Sequence, residues 1–184
     1  MQIILFSAFG AASAKRLAAA AVLSVSLTGC ATFAPSVPEG YSGPVAIIKD
    51  SVKTLSQSKA DFFYISEIDG KRMEDSRVRT LRMNQGRGFN MSPSAIERNV
   101  PAQKATFTLV GRTEYAAPIL ALTNTVYQVT GKITVSPETY RSYVVRGELG
   151  ENYSAVWLED ETSGKVIGEK IEVNGPSKLG TFEK

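Results

Sequence analysis

The sequence predicts an all-β domain: an antiparallel sandwich or partly closed barrel of about seven to nine strands, with at most one or two short helices. Two observations lead to this prediction. Apolar and polar residues alternate with a period of two through much of the chain, as they do in strands with one buried face. Turn-forming pairs such as Asp69-Gly70 and Asn174-Gly175 separate these stretches.

The strands are predicted in order along the chain. The first should begin near Val45–Ile48, after a proline-rich stretch. Two stretches rich in aromatic and β-branched residues suit strands covered on both faces, namely 61–68 and 154–160. Three others alternate strictly and suit half-buried strands, namely 104–112, 126–135 and 143–150.

Helical patterns are weak by comparison. Residues 47–60 could form one or two helical turns around Val52 and Leu55, and residues 92–98 could form another. No internal repeat or low-complexity tract is present, so the mature chain is expected to be a single domain.

The first 30 residues have the layout of a secretory signal. Lys15 and Arg16 supply positive charge, and the apolar stretch Leu17–Ser26 follows. Leu27-Thr28-Gly29-Cys30 resembles the lipobox of bacterial lipoproteins at every position. That resemblance implies that the thiol of Cys30 is joined to diacylglycerol, that a peptidase cleaves just before it, and that the new amino group is acylated. Two lipid signals are enough for stable membrane attachment.

Two other interpretations of this segment compete. Cys30, the sole cysteine, could be an ordinary buried thiol, since free cysteine is among the most buried residue types. A permanent transmembrane helix needs ~20 consecutive apolar residues, and Lys15-Arg16 divides the segment into shorter pieces. Because residues 1–14 carry no charged side chain, it stays open whether Met1 is the true start.

The domain organisation follows from the lipobox and from proline. Residues 1–29 are predicted to be a lipoprotein signal peptide, residues 30–44 the lipidated N-terminus with an extended tether, and residues 45–184 a single periplasmic β domain. Three prolines and two glycines in the second segment favour an extended chain. A lipidated sole cysteine leaves no intramolecular disulfide, so stability must come from an apolar core.

Charge and composition exclude several function classes. The chain has 21 Lys+Arg, 18 Asp+Glu and no histidine. Two of the bases, Lys15 and Arg16, leave with the signal, so the mature chain is nearly neutral and nucleic-acid binding is not indicated. Histidine is the commonest general base and metal ligand. We therefore expect no catalytic, cofactor or metal site, and the acidic stretch Glu159–Lys165 favours a solvated hairpin tip.

One catalytic pattern remains as an alternative. Ser56-Gln57-Ser58-Lys59 matches the Ser-x-x-Lys motif of penicillin-recognising enzymes, in which the lysine lies one helical turn from the nucleophilic serine. The supporting Ser-Asp-Asn and Lys-Thr-Gly motifs are missing. Hydrolysis through Ser56 and Lys59 is therefore the least favoured function.

The basic segment from Arg77 to Arg87 is the candidate for partner contact. Arginine binds carboxylate and phosphate in bidentate fashion, so Arg77, Arg79, Arg82 and Arg87 could contact an anionic protein face, phosphate-bearing lipid or cell-wall carboxylate. Strand alternation would place Arg77 and Arg79 on one face and Arg82 on the other.

A second interpretation of these arginines is structural. They could pair within the fold with Glu148, Glu151 or Glu159. In that case the segment would stabilise the domain and would contact no partner.

Ala31 follows the lipidated cysteine, where the best-studied lipoproteins carry aspartate if they stay in the inner membrane. By this resemblance the chain is expected to be anchored in the outer membrane through lipid on Cys30, facing the periplasm, with the inner membrane left open. The leading function is a non-catalytic binding or accessory module of an outer-membrane or periplasmic assembly. The alternative is a carrier or binder of a small apolar or lipid ligand, since a sandwich or barrel can enclose a cavity.

Overall fold

Ten strands and two short helices make up residues 33–184, the part of the chain that the computed structural model describes. The signal-peptide prediction and Cys30 lie outside the described residues. In chain order the elements are β1 Val45–Lys49, β2 Ser51–Ser56, β3 Lys59–Ile68, β4 Lys71–Arg72, α1 Ser76–Met83, β5 Glu97–Pro101, β6 Ala105–Tyr115, α2 Pro118–Thr123, β7 Gln128–Val135, β8 Ser142–Glu148, β9 Tyr153–Asp160 and β10 Val166–Asn174.

The strands form two sheets, which we call sheet 1 and sheet 2. Sheet 1 has the order β10-β9-β8-β1-β5, and sheet 2 has the order β2-β3-β6-β7 with β4 paired to β3. The pairings are antiparallel except that of β1 with β8, which is parallel. The all-β prediction is confirmed: the described strands form a sandwich-like pair of sheets and no closed barrel.

The main core lies between the two sheets. In β6, Phe107 and Leu109 are fully buried while the threonines between and beside them are half-buried, as the period-two pattern predicted. Phe63 and Ile65 of β3 face the same core, together with the other members of the cluster: Ala46, Ile48, Ile68, Met73, Val100, Ala105, Val129, Ile133, Tyr143, Val145, Val156 and Leu158. Fully burying one such large side chain contributes about 1.5–3 kcal/mol, so this cluster is the chief source of stability.

The outer face of sheet 2 is also covered in part. Phe62, Tyr64 and Val110 form a second buried cluster with Met91, which belongs to the loop after α1. The Met91 amide donates to the Gln57 carbonyl oxygen at 2.8 Å and fixes this loop against the β2–β3 hairpin. Sheet 2 is therefore buried on two sides, which explains the long apolar run of β3.

The predicted positions of the helices are wrong. Residues 47–60 form β1, β2 and the start of β3, while residues 92–98 are irregular up to β5. The chain passes from sheet 1 to sheet 2 at the buried Asp50, so two short strands replace the expected helix.

Most of the basic segment is a helix, α1, where strand alternation was expected, and Arg87 lies in the loop that follows it. The Asp75 side chain accepts a hydrogen bond from the Val78 amide at 2.9 Å and caps the helix N-terminus. Arginine, leucine and methionine are good helix formers, so capping and propensity together outweigh the short alternation.

Residues 33–44 contain neither helix nor strand, but they do not hang free from the domain. The Ala34 amide donates to the Arg72 carbonyl oxygen at 2.9 Å, and Ala34 packs against the core cluster. The Arg72 guanidinium lies 5.4 Å from the centroid of the Phe33 ring. The predicted tether is thus seated on the domain from Phe33 onward. Within residues 33–184, no helix is both long and apolar enough to cross a membrane.

Candidate functional site

A pocket of about 190 Å³ opens at the end of the sandwich where β3 finishes and β6 begins. Its floor consists of five buried side chains from the core: Ile68, Met73, Val100, Ala105 and Phe107. These side chains carry no charge and no hydrogen-bonding group, so the interior favours an apolar guest.

The seated tether forms one wall of this pocket. Ala34, Pro35 and Pro38 line it directly, so the first described residues of the chain shape the site. Because proline fixes φ and donates no hydrogen bond, this wall presents few polar groups to the interior.

Charged and polar side chains stand at the rim: Glu39, Asp69, Lys71 and Gln103. Asp69 is held in place because its carboxylate accepts a hydrogen bond from the Thr106 amide at 2.8 Å. Lys71 is exposed at the mouth. The site thus combines an apolar interior with a mixed-charge rim, which suits a guest with an apolar end and a polar head.

The volume limits the size of the guest. An apolar cavity of about 150 Å³ is large enough to hold benzene. A pocket of about 190 Å³ therefore takes an apolar group slightly larger than benzene, such as the end of an acyl chain, and no more than a part of a long chain.

Arg77, the first of the predicted contact residues, is held inside the fold. Its Nε donates to the Glu114 carboxylate on β6. Burial acts to lower the pKa of Arg77, but the attraction of Glu114 and Tyr64 outweighs it, and the pKa is raised. The carboxylate partner is not one of the three glutamates expected from the sequence.

Arg112 lies beside this pair. Its Nε is 3.7 Å from the Glu114 carboxylate and is, within residues 33–184, the one buried side-chain nitrogen or oxygen without a hydrogen bond. Burial and the neighbouring Arg77 lower the pKa of Arg112. The Glu114 carboxylate thus interacts with two guanidinium groups on the outer face of sheet 2.

The other arginines of the segment are also engaged. Arg79 and Arg82 both donate to the Glu74 carboxylate, which lies just before α1. Arg87 donates to the Asn84 side chain at 3.1 Å and to the Ser92 hydroxyl at 3.2 Å. Arg82 keeps 60% of its side chain exposed, so its contact with an anionic partner stays a prediction, now for a helical surface.

Ser56 and Lys59 do not have the arrangement that the Ser-x-x-Lys motif requires. They face each other across the β2–β3 hairpin and are not one turn apart on a helix. The Ser56 hydroxyl accepts a hydrogen bond from the Ser58 amide at 3.2 Å, while the Lys59 ammonium lies 5.6 Å from the centroid of the Tyr115 ring.

Within the acidic stretch Glu159–Lys165, residues 161–165 form the exposed tip between β9 and β10, while Glu159 and the buried Asp160 end β9. The Asp160 carboxylate accepts hydrogen bonds from the amide and hydroxyl of Ser163 at 2.8 and 2.9 Å. It therefore orders the turn. In the described part of the chain, no three histidine, cysteine or acidic side chains are grouped so that they could hold a metal ion.

Comparison with protein-family models, curated proteins and solved structures gives no match. The function proposed below therefore depends on the residues and their geometry. Sequence reasoning missed the pocket because its floor residues are indistinguishable from core residues until the two sheets are placed. The one available signal was the proline-rich stretch, which was interpreted as a free tether.

Proposed function

We propose that this chain is a lipid-anchored, non-catalytic binding module of the outer membrane that faces the periplasm and holds a small apolar group. The observation that carries the proposal is the apolar pocket whose wall is the segment following the lipobox. The lipid on Cys30 supplies the membrane attachment, and the pocket supplies the binding site.

Chain length supports a connection between the two. Ala31 and Thr32 alone separate Cys30 from Phe33, which is seated on the domain. Three residues of fully extended chain span at most about 10–11 Å. The chain between Cys30 and the segment that lines the pocket is therefore short.

The guest that fits best is an amphiphile whose acyl end places about six to eight carbons inside the pocket. We infer this number because the pocket is slightly larger than a cavity that holds benzene. Each buried CH₂ contributes ~0.8 kcal/mol, so a short chain is enough for weak, reversible binding. Lys71, Asp69 and Glu39 at the rim would face the head group.

The anchor is tested first. Cys30→Ser, expressed in a Gram-negative host, should lose metabolic palmitate labelling and signal processing, while Ser36→Ala should keep both. Since the exposed surface of the domain is not altered, the variant should otherwise fold as the wild type does. A Cys30→Ser protein that is cleaved and fractionates like wild type would contradict the lipid anchor.

The pocket is tested in the membrane. The mature lipoprotein is placed in vesicles of phosphatidylethanolamine and phosphatidylglycerol that contain a phospholipid with a diazirine near the end of one acyl chain. Illumination should label the floor of the pocket at Met73 or Phe107, as mapped by mass spectrometry.

Ala105→Leu is the matched test variant, because the larger side chain fills the pocket from its floor. It should strongly reduce the label at the floor. Ala121→Leu, on α2 at the other end of β6, is the control and should leave labelling unchanged. Equal labelling of both variants, or label confined to the protein surface, would overturn the pocket as the binding site.

A further inference from the structure

The helix α2 is a second feature that the fold does not explain. None of its six residues is buried. The Ile119 and Leu122 side chains are 56% and 50% exposed, and Phe182, near the C-terminus, is fully exposed. A helix in a folded domain normally buries one apolar face, so this face lacks a partner within residues 33–184.

The helix is nevertheless held firmly. The Lys184 ammonium donates to the Asn124 carbonyl oxygen at 2.7 Å and to the Leu122 carbonyl oxygen at 3.4 Å. The Thr123 hydroxyl donates to the Ile119 carbonyl oxygen at 3.0 Å, so the last turn is closed. A surface that is already formed binds with less loss of conformational entropy than one that must fold, which favours a docking role.

Three lysines lie beside α2 or beside the segments that flank it. Lys184 contacts it directly, Lys178 pairs with Tyr127 just before β7, and Lys59 lies over the ring of Tyr115 at the end of β6. In residues 33–184 none of these three ammonium groups has a carboxylate within 4.0 Å. We call these lysines, with Ile119, Leu122 and Phe182, the α2 surface.

The α2 surface contrasts with the basic helix α1. Arg77, Arg79 and Arg82 of α1 already bind carboxylates of the same chain. None of the lysines of the α2 surface forms an ion pair within residues 33–184, and Lys184 uses two of its three N–H groups on carbonyl oxygens. They can therefore still pair with external carboxylates. An apolar patch rimmed by charge is typical of a protein interaction site.

Two occupants do not fit this surface. β6 has 11 residues and separates the pocket from α2 by about 33 Å at ~3.3 Å per residue, and Phe33, the first described residue, is seated at the pocket end. A lipid that follows the chain from this end is far from α2. A second copy related by a two-fold axis would bring six lysines together against only two Glu183 carboxylates, so like charges predominate and oppose such contact.

We infer that the α2 surface docks a segment of another envelope protein that presents aliphatic or aromatic side chains together with Asp or Glu. Ile119, Leu122 and Phe182 bury the apolar side chains, and Lys59, Lys178 and Lys184 pair with the carboxylates. This site is independent of the pocket and of its guest.

Photo-crosslinking in the native envelope tests the inference. A photoreactive phenylalanine derivative replaces Ile119 in the full-length lipoprotein, and Tyr140, which is 84% exposed on the connection before β8, is the control position. Illumination should give a discrete adduct from position 119 and none of the same mass from position 140. Mass spectrometry should find the crosslinked peptide of a different protein, with acidic residues beside apolar ones.

Charge reversal provides the second measurement. Lys59→Glu with Lys178→Glu should reduce the adduct at least about tenfold, because each 1.4 kcal/mol changes an equilibrium constant tenfold and two repulsive contacts replace two attractive ones. Lys104→Glu with Lys165→Glu changes net charge equally on exposed lysines elsewhere and should have no effect.

Four results would overturn the inference: an adduct with a second copy of this chain, an adduct with lipid, no adduct at position 119, or an adduct that both pairs of variants leave unchanged. The inference rests on the proposed envelope location, and palmitate labelling of the same cells reads that location separately. A labelled protein that gives no adduct at position 119 counts against the α2 surface, while pocket labelling by the diazirine lipid has a readout of its own.

Discussion

Arg98 donates two hydrogen bonds to the carboxylate of Asp50, at 2.7 and 2.8 Å, where the chain turns from sheet 1 into sheet 2. The same carboxylate accepts hydrogen bonds from the amide and hydroxyl of Ser76 at the start of α1, and from the Ile65 amide of β3 at 3.3 Å. One buried ion pair therefore joins two sheets and a helix, and its partners lie 48 residues apart.

Arg98→Met should destabilise the domain by about 3–5 kcal/mol, since it leaves the Asp50 carboxylate buried without its counter-ion. Adding Asp50→Asn should recover part of that loss. Chemical unfolding of the mature protein measures both. The control is Arg146→Met, whose half-exposed side chain pairs only with Glu159 among residues 33–184 and should contribute only ~0–1 kcal/mol. An Arg98→Met variant as stable as this control would show that the ion pair does not organise the corner.

Arg77→Met should also destabilise the domain, by about 1–3 kcal/mol, because the Glu114 carboxylate is only 10% exposed and loses a charged hydrogen bond. Arg87→Met should cost less, since its partners Asn84 and Ser92 are neutral. Thermal unfolding compares the two variants. Equal effects would contradict a structural role that is specific to Arg77.

Gly147→Ala should destabilise the fold by about 1–3 kcal/mol through overpacking. A Cβ atom at Gly147 would overlap the ring of Phe63 and lie 2.5 Å from the Ala155 carbonyl oxygen, so backbone as well as side chain must shift. Arg146→Ala, its exposed neighbour on β8, is the control and should change stability by at most ~1 kcal/mol. Calorimetry measures the melting temperatures of the two variants. A Gly147→Ala protein with the melting temperature of wild type would refute the predicted contact.

Asp61→Asn should make the domain more stable at pH 7 than wild type, with the difference disappearing toward pH 3. Burial raises the pKa of the Asp61 carboxyl, although the Thr113 hydroxyl and two nearby lysines partly offset this. Because the folded pKa exceeds the unfolded value of about 3.9, the stability that Asp61 contributes is present below that value and is lost as pH rises through the folded pKa. Urea unfolding at several pH values should show this trend, and a constant difference would contradict it.

Asp160→Asn should show the opposite pH dependence. Hydrogen bonds from Ser163 lower the pKa of Asp160, so its contribution is present above the unfolded pKa and is lost as pH falls through the folded pKa. The variant should be less stable than wild type at pH 7 and equal to it at low pH. Urea unfolding at the same series of pH values measures this. If the stabilities of Asp61→Asn and Asp160→Asn relative to wild type changed in the same direction with pH, the hydrogen-bond explanation for Asp160 would be disproved.

The sequence by itself determined the β class and most strand positions. The alternation of apolar and polar residues in 104–112 and 126–135 indicates which side chains face a core. It can be recognised in the sequence because successive side chains of any one strand point to opposite faces. The turn at Asp69-Gly70 was equally predictable, because both residues adopt positive φ and these residue types tolerate it.

Only the tertiary structure decided which elements meet. The helix at Ser76–Met83 has a local N-cap, since the Asp75 side chain accepts from the Val78 amide three residues on, and this signal was overlooked in favour of the short alternation. The tertiary structure adds the bonds of Ser76 to Asp50, at a strand corner 26 residues earlier. The choice of Glu114 and Glu74 as partners of the α1 arginines likewise depends on how α1 lies on sheet 2. The pocket exists because the ends of the two sheets and residues 33–44 leave a space between them, and no local pattern encodes a space.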